Sequence, residues 1–356
     1  MGNTATSSNT LIADVVPWLA DRLPSGWQIV ATRLGTIRRP LAFSAADAIL
    51  KIRGPGNAIG SVLVEAKTRV EPRDVDYLAA TLRPTADRPI IVVAPFMSSR
   101  TQERLKATGF GYADLTGNVR LSLSRPGLFV ETTGASQNPE PTARDRKSLK
   151  GAKAGRLIRA LADFCPPLGL REVAKCAGVD ADYASRIIDV LDREALVVRA
   201  PRGPITKVDW AGLLRRWSQE YSPFQRQRVA WYLAPRGLPS VIEQLKKLSD
   251  RYAVSGSWAA VQFAPVAPPR LLLLYADSPV AAADRLELKP TEAGANVALA
   301  VPFDPAVYER TSQKKGVTVV AISQIAADLL TSPGRGPNEA EALIAWMGEH
   351  ENVWRS

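Results

Sequence analysis

The stretch that most constrains the fold lies at the centre of the chain, where three short helical patterns run into two short strands. Ser148 to Phe164 carries Leu157, Ile158 and Leu161 at helical spacing, and Leu170 to Ala177 is a second helical pattern closed by Gly178. Asp180 offers an N-cap to a third, Ala181 to Arg193. There Ala184, Ile187, Ile188 and Leu191 stand at i, i+3, i+4 and i+7, an apolar stripe that needs a core to cover it. The opposite face shows Asp182, Tyr183, Ser185, Arg186 and Asp189. Leu196 to Arg199, a Pro201-Arg202-Gly203-Pro204 turn and Ile205 to Trp210 then read as a hairpin.

Three helices and a basic-tipped hairpin are the parts of a winged helix-turn-helix, with the third helix placed for the major groove of double-stranded DNA. A purely structural helical hairpin is the alternative. In the DNA reading, Tyr183, Ser185 and Arg186 face base edges. Arg199, Arg202 and Lys207 meet phosphate or the minor groove, and Lys147, Lys150, Lys153 and Arg156 meet the backbone. Charge distribution favours a polyanion partner. Residues 1–138 hold 16 Lys/Arg against 11 Asp/Glu, residues 139–216 hold 16 against 10, and residues 217–356 balance at 14 each. The whole excess of +11 therefore lies in the first two-thirds of the chain. A solvated charged face is the competing explanation for the basic run.

Other chemistries are poorly supplied. The single histidine, His350, leaves no material for a Ser-His-Asp triad or a histidine metal site. Two cysteines, Cys165 and Cys176, are too few for a disulfide framework and read as small packing residues in a reducing compartment. No apolar run reaches the ~18 residues of a membrane span, and no secretory leader pattern opens the chain, so a cytoplasmic protein is expected, nucleoid-associated when bound to DNA.

The length suits a multi-domain α/β protein in three regions, 11–133, 143–220 and 225–356. In the first, a helix is expected at Leu11 to Leu23 after a frayed polar start. Strands are expected at Ala48 to Arg53, Val62 to Lys67, Pro89 to Ala94, Tyr112 to Leu115 and Val119 to Leu123, with helices at Asp74 to Leu82 and Ser98 to Thr108. This pattern gives a mixed sheet. Thr133 to Thr142 reads as a linker. In the last region, helices are expected at Leu238 to Tyr252 and Asn338 to Met347, and strands at Arg270 to Ala276 and Val297 to Val301.

Strand alternation in the first region puts Glu65 and Lys67 on one face, about 6–7 Å apart, and an adjacent strand can bring Asp47 beside them. Two carboxylates suit Mg²⁺, and a nearby lysine can orient or deprotonate a water that attacks a phosphodiester. Asp47, Glu65 and Lys67 in this α/β context resemble the PD-(D/E)xK restriction-endonuclease-like superfamily, although Ala46 stands where proline is usual. That resemblance implies catalytic roles for Asp47, Glu65 and Lys67, with Mg²⁺ on Asp47 and Glu65. The alternative is an ion pair on a sheet end in a fold that does not cleave.

Gly256-Ser257, followed by a strand ending Tyr275-Ala276-Asp277, resembles a nucleotidyltransferase core in which only one of the two required acids remains. This implies an inactive nucleotidyltransferase-like domain; an unrelated α/β domain is equally open. The order of restriction-endonuclease-like, winged-helix and nucleotidyltransferase-like regions resembles proteins grouped with the AbiEi-type (type IV toxin–antitoxin) antitoxins. It implies operator binding without a cofactor, with a cognate toxin or other protein as partner. Such DNA readers often act as homodimers. A DNA-binding regulator, a Mg²⁺-dependent endonuclease and a toxin-neutralising protein are the three functions to separate.

Overall fold

The computed structural model describes residues 2–37, 46–87, 89–141, 148–201, 203–226, 229–265 and 267–356. It is mixed α/β, and the chain divides into two compact units: residues 1–146 with 193–195, and residues 147–192 with 196–356. Among the described residues, no helix is long and apolar enough to cross a membrane.

The first unit runs α1 (Gly2–Ala20), β1 (Gln28–Ile37), β2 (Ala46–Arg53), β3 (Ile59–Ala66), α2 (Asp74–Leu82), β4 (Ile90–Ala94), α3 (Ser99–Ala107), β5 (Gly111–Asp114), β6 (Val119–Leu123) and β7 (Leu128–Thr132). The strands lie side by side in chain order. β1, β2 and β3 are antiparallel, β4 and β5 continue parallel to β3, and β6 and β7 turn back. The two parallel steps require crossovers, supplied by α2 and α3. β4 is buried on both faces, as a central parallel strand must be. Its Ile91 and Val93 join Val62 and Val64 of β3 and Leu11, Ile12, Val15 and Leu19 of α1. Its Ile90, Val92 and Ala94 join Val75 and Leu78 of α2 and Leu105 of α3. The sheet thus has α1 on one face and α2 and α3 on the other.

The second unit opens with α4 (Ala152–Asp163), α5 (Leu170–Cys176), α6 (Ala181–Arg193), β8 (Val197–Arg199) and β9 (Ile205–Val208). β8 and β9 pair antiparallel. Leu168, between α4 and α5, exchanges two backbone hydrogen bonds with Ile205, at 2.9 and 3.0 Å, a single bridge beside the two-stranded hairpin. Asp180 caps α6, its Oδ1 accepting from the Tyr183 N–H at 2.7 Å. The stripe of Ala184, Ile187, Ile188 and Leu191 is buried.

The chain continues through α7 (Trp210–Ser218), α8 (Pro223–Arg226), β10 (Val229–Leu233), α9 (Gly237–Leu245), β11 (Tyr252–Ser255), α10 (Gly256–Ala260), β12 (Leu272–Ala276), α11 (Pro279–Arg285), β13 (Lys289–Pro290), β14 (Val297–Ala300), β15 (Ser312–Lys314), β16 (Val317–Val319), α12 (Ile322–Leu330), α13 (Gly336–Glu349) and α14 (Glu351–Trp354). Its strands order as β13-β10-β14-β12-β11-β16-β15. One hydrophobic cluster extends from Leu149 and Leu157 of the winged segment to Leu343 and Met347 of α13. A buried polar chain crosses the same ground. Arg159 of α4 donates to Asp163 at 3.0 Å and to Gln324 of α12 at 3.0 Å, and Gln324 donates to Asp328 at 2.8 Å.

Three expectations change. The helix expected over Leu238 to Tyr252 ends at Leu245, because Leu238, Val241, Ile242 and Leu245 already complete its inward stripe; Tyr252 instead begins β11. The first helix starts at Gly2 rather than Leu11, since the polar stretch before Leu11 holds no internal breaker. Cys165 and Cys176 are exposed, not packed. In α5, Val173 and Ala174 take the inward positions and Cys176 is left facing out.

Candidate functional site

The acids and the lysine expected to act together do meet. The β2–β3 register pairs Ala48 with Val64, so the next rung sets Asp47 against Glu65, a spacing of about 5 Å between Cβ atoms. Asp47 Oδ2 accepts from the Ala66 N–H at 2.8 Å, which ties the start of β2 to the end of β3. Lys67 Nζ lies 2.6 Å from Glu65 Oε1. Glu65 is buried, while the Lys67 side chain is 41 % exposed. Alternation puts this group on the face that carries α2 and α3. Those helices cover β4 but not β2, where Ile49, Lys51 and Arg53 are half-buried or exposed. The group therefore stands at the margin of the helical layer, with Glu65 buried and the Lys67 side chain reaching solvent.

The donor set suits a hard divalent cation. Asp47 accepts the Ala66 N–H on Oδ2, next to Glu65 on the neighbouring strand, so the two carboxylates lie close together. Among the described residues no three His, Cys, Asp or Glu side chains gather, so a cation here would rest on a carboxylate pair with water and substrate oxygens, the usual company of Mg²⁺.

The winged segment brings together part of its expected set. Lys153 of α4 lies 3.7 Å from Asp180 and 5.9 Å from the Tyr183 ring. Asp180 is held below the usual carboxylate range first by the Tyr183 N–H, then by the positive charges of Lys153 and Arg186. Lys153, Tyr183 and exposed Arg186 therefore form one patch at the start of α6, with Arg156 close to Gly178 in the preceding turn. Burial and the Asp180 charge raise the Tyr183 hydroxyl pKa, so it stays a hydrogen-bond donor. Arg199 joins α6 elsewhere, 2.7 Å from Asp189. Lys150 and Lys207 are exposed, and Ser185 is half-buried. Lys147 and Arg202 lie outside the described residues.

Two features were missed. α6 carries Asp182, Asp189 and Asp192 against Arg186 and Arg193, so its own charge is negative and the positive field must come from α4 and the hairpin. Asp180 and Asp189 neutralise two of the expected cations, a pairing that i,i+3 and i,i+4 spacing along one helix does not reveal.

The Gly256-Ser257 turn and Asp277 do not converge. β11 pairs Tyr252 with Ala276 and Ser255 with Leu273, which sets the turn and the acid at opposite ends of the hairpin. Tyr275, in the first acid position, is buried and lies 3.3 Å from the Tyr221 hydroxyl. No nucleotidyl-transfer site is built from these residues.

No family model, no curated protein and no solved structure matches this chain.

Proposed function

We propose that the chain is a double-stranded DNA-binding regulator of the kind the AbiEi-type antitoxins exemplify, docking through α6 and the β8–β9 hairpin. The observation that supports this reading is a run of three short helices, the third capped by Asp180 with its apolar stripe buried, followed by a two-stranded hairpin that Leu168 bridges. On this reading exposed Arg186 would read a base edge, and Lys150, Lys153 and exposed Lys207 would meet phosphates. Because α6 itself is acidic, base discrimination rests on few contacts, Arg186 foremost.

Selection of bound fragments from genomic DNA, read with and without Mg²⁺, tests the proposal. A recurring site is the expected result. At that site, Arg186→Ala should cost on the order of 1–3 kcal/mol, centred on one base position, whereas Lys150→Ala should weaken all sequences alike. Unchanged affinity of Arg186→Ala for the selected site would remove α6 as the recognition helix.

A second reading, a Mg²⁺-dependent endonuclease, is favoured by the meeting of Asp47, Glu65 and Lys67. The order of α1, three antiparallel strands, α2 and a parallel strand, with the acids on the second and third strands, supports a PD-(D/E)xK reading of the first unit. Bound Mg²⁺ would supply positive charge to the phosphate and acidify a water. Asp47 and Glu65 would hold the ion, and Lys67 would orient the attacking water.

A further inference from the structure

A polar cleft of about 470 Å³ lies in the second unit, between the segment after α9, the Tyr308 turn and the β15–β16 hairpin. Nothing in the DNA-binding or nuclease readings uses it. Its volume lies within the range of sites for small organic ligands. Its charge is biased toward cations. Lys246 and Arg251 line it, and the one lining acid, Asp250, is paired with Arg285.

Arg251 is the centre of the cleft's chemistry. Its guanidinium carbon lies 3.9 Å from the Tyr308 ring centroid, a cation–π contact that holds the cation in the cleft. Tyr308 is anchored in turn, its hydroxyl donating to Asp277 at 3.3 Å. Across the cleft, Gln313 Nε2 donates to Thr318 Oγ1 at 2.8 Å, so the Thr318 hydroxyl accepts that bond and has its own proton to give. The Lys246 stem lies beside Gly316 in the hairpin turn, where φ is +78° and the position of an added Cβ is 3.5 Å from Lys246 Cγ. Among the described residues Lys246 pairs with exposed Glu243, an ion pair that yields readily to a competing anion.

A planar cation held over an aromatic ring, a mobile ammonium and a free hydroxyl proton are complementary to a tetrahedral oxyanion. We propose that this cleft binds a phosphate monoester of about mononucleotide size, with Arg251 and Thr318 on the phosphate and Lys246 closing over it.

Calorimetric titration of the full chain with AMP tests this, with adenosine and inorganic phosphate titrated in parallel. Saturable AMP binding is expected, with adenosine silent; inorganic phosphate that competes with AMP also supports the site and identifies the free ion as a ligand. Arg251→Ala should weaken AMP binding at least tenfold, and Thr318→Val about threefold. Arg251→Lys keeps the charge, loses the planar guanidinium and should weaken binding severalfold; it serves where Arg251→Ala does not fold. The proposal is overturned if neither AMP nor phosphate binds at roughly 1 mM, an affinity of only about −4 kcal/mol. It is overturned equally if the folded Arg251 variants bind as the parent does.

Discussion

Lys67→Ala and Glu65→Gln are each expected to cut Mg²⁺-dependent nicking of supercoiled plasmid by about 10²-fold or more, if the first unit cleaves DNA. Lys67 lies 2.6 Å from Glu65, and the Asp47 carboxylate reaches the Ala66 N–H beside it, so on the nuclease reading each substitution would remove a group that holds the ion or orients the water. Glu65→Gln keeps the shape of a buried side chain, which separates lost chemistry from lost folding. Duplex affinity, which the proposed function assigns to the second unit, should stay within about twofold of the parent because the substitutions lie outside that unit. Equal nicking by parent and both variants would mean that these residues do not cleave, and would leave the regulator reading standing alone.

Asp328→Ala is expected to destabilise the second unit by about 3 kcal/mol or more. Asp328 is fully buried on α12 and accepts from Tyr221 at 2.7 Å, Ser255 at 2.5 Å and Gln324 at 2.8 Å. Truncation would strand three buried donors. Burial pushes the Asp328 carboxyl up to about 6 from an ordinary 3.8, against the lowering effect of those donors. Because the folded state holds this proton more tightly than the unfolded one, the contribution to stability is full below about pH 4. It is lost as pH rises through 6. Above that, the shift of about two pH units corresponds to roughly 3 kcal/mol. Asp328→Asn cannot ionise, so thermal melts of the parent and this variant should diverge between pH 4 and 7, the parent losing ground as pH rises. Parallel melting profiles across that window would contradict the assignment.

How much of this was legible depended on periodicity. α2 and α6 begin and end where the pattern places them, because each has a polar outer face against an apolar stripe. α12 left no such trace. Ser323, Gln324 and Asp328 are buried along with Ile325 and Leu329, so polar and apolar residues share every side of the helix. Short strands such as β10 and β16 were equally silent, since a few residues give too few alternations to distinguish a strand from a loop. At the candidate nuclease site, Glu65 and Lys67 could be placed on one face from strand alternation alone. The approach of Asp47 depended on the β2–β3 register, which no local pattern encodes. For the winged segment the helices were legible, but not the partners that Asp180 and Asp189 give to Lys153 and Arg199.

The central claim is that cations of the winged segment meet a duplex together, and its most direct test is the salt dependence of binding. For the full chain on a short duplex carrying the selected site, log K should fall linearly with log salt. If Lys150, Lys153, Arg156, Arg199 and Lys207 all reach phosphates, the slope should be about −4.5, and replacing Lys150 and Lys153 with alanine should flatten it by about 2. A slope near zero, or one that the double substitution leaves unchanged, would contradict docking through this surface.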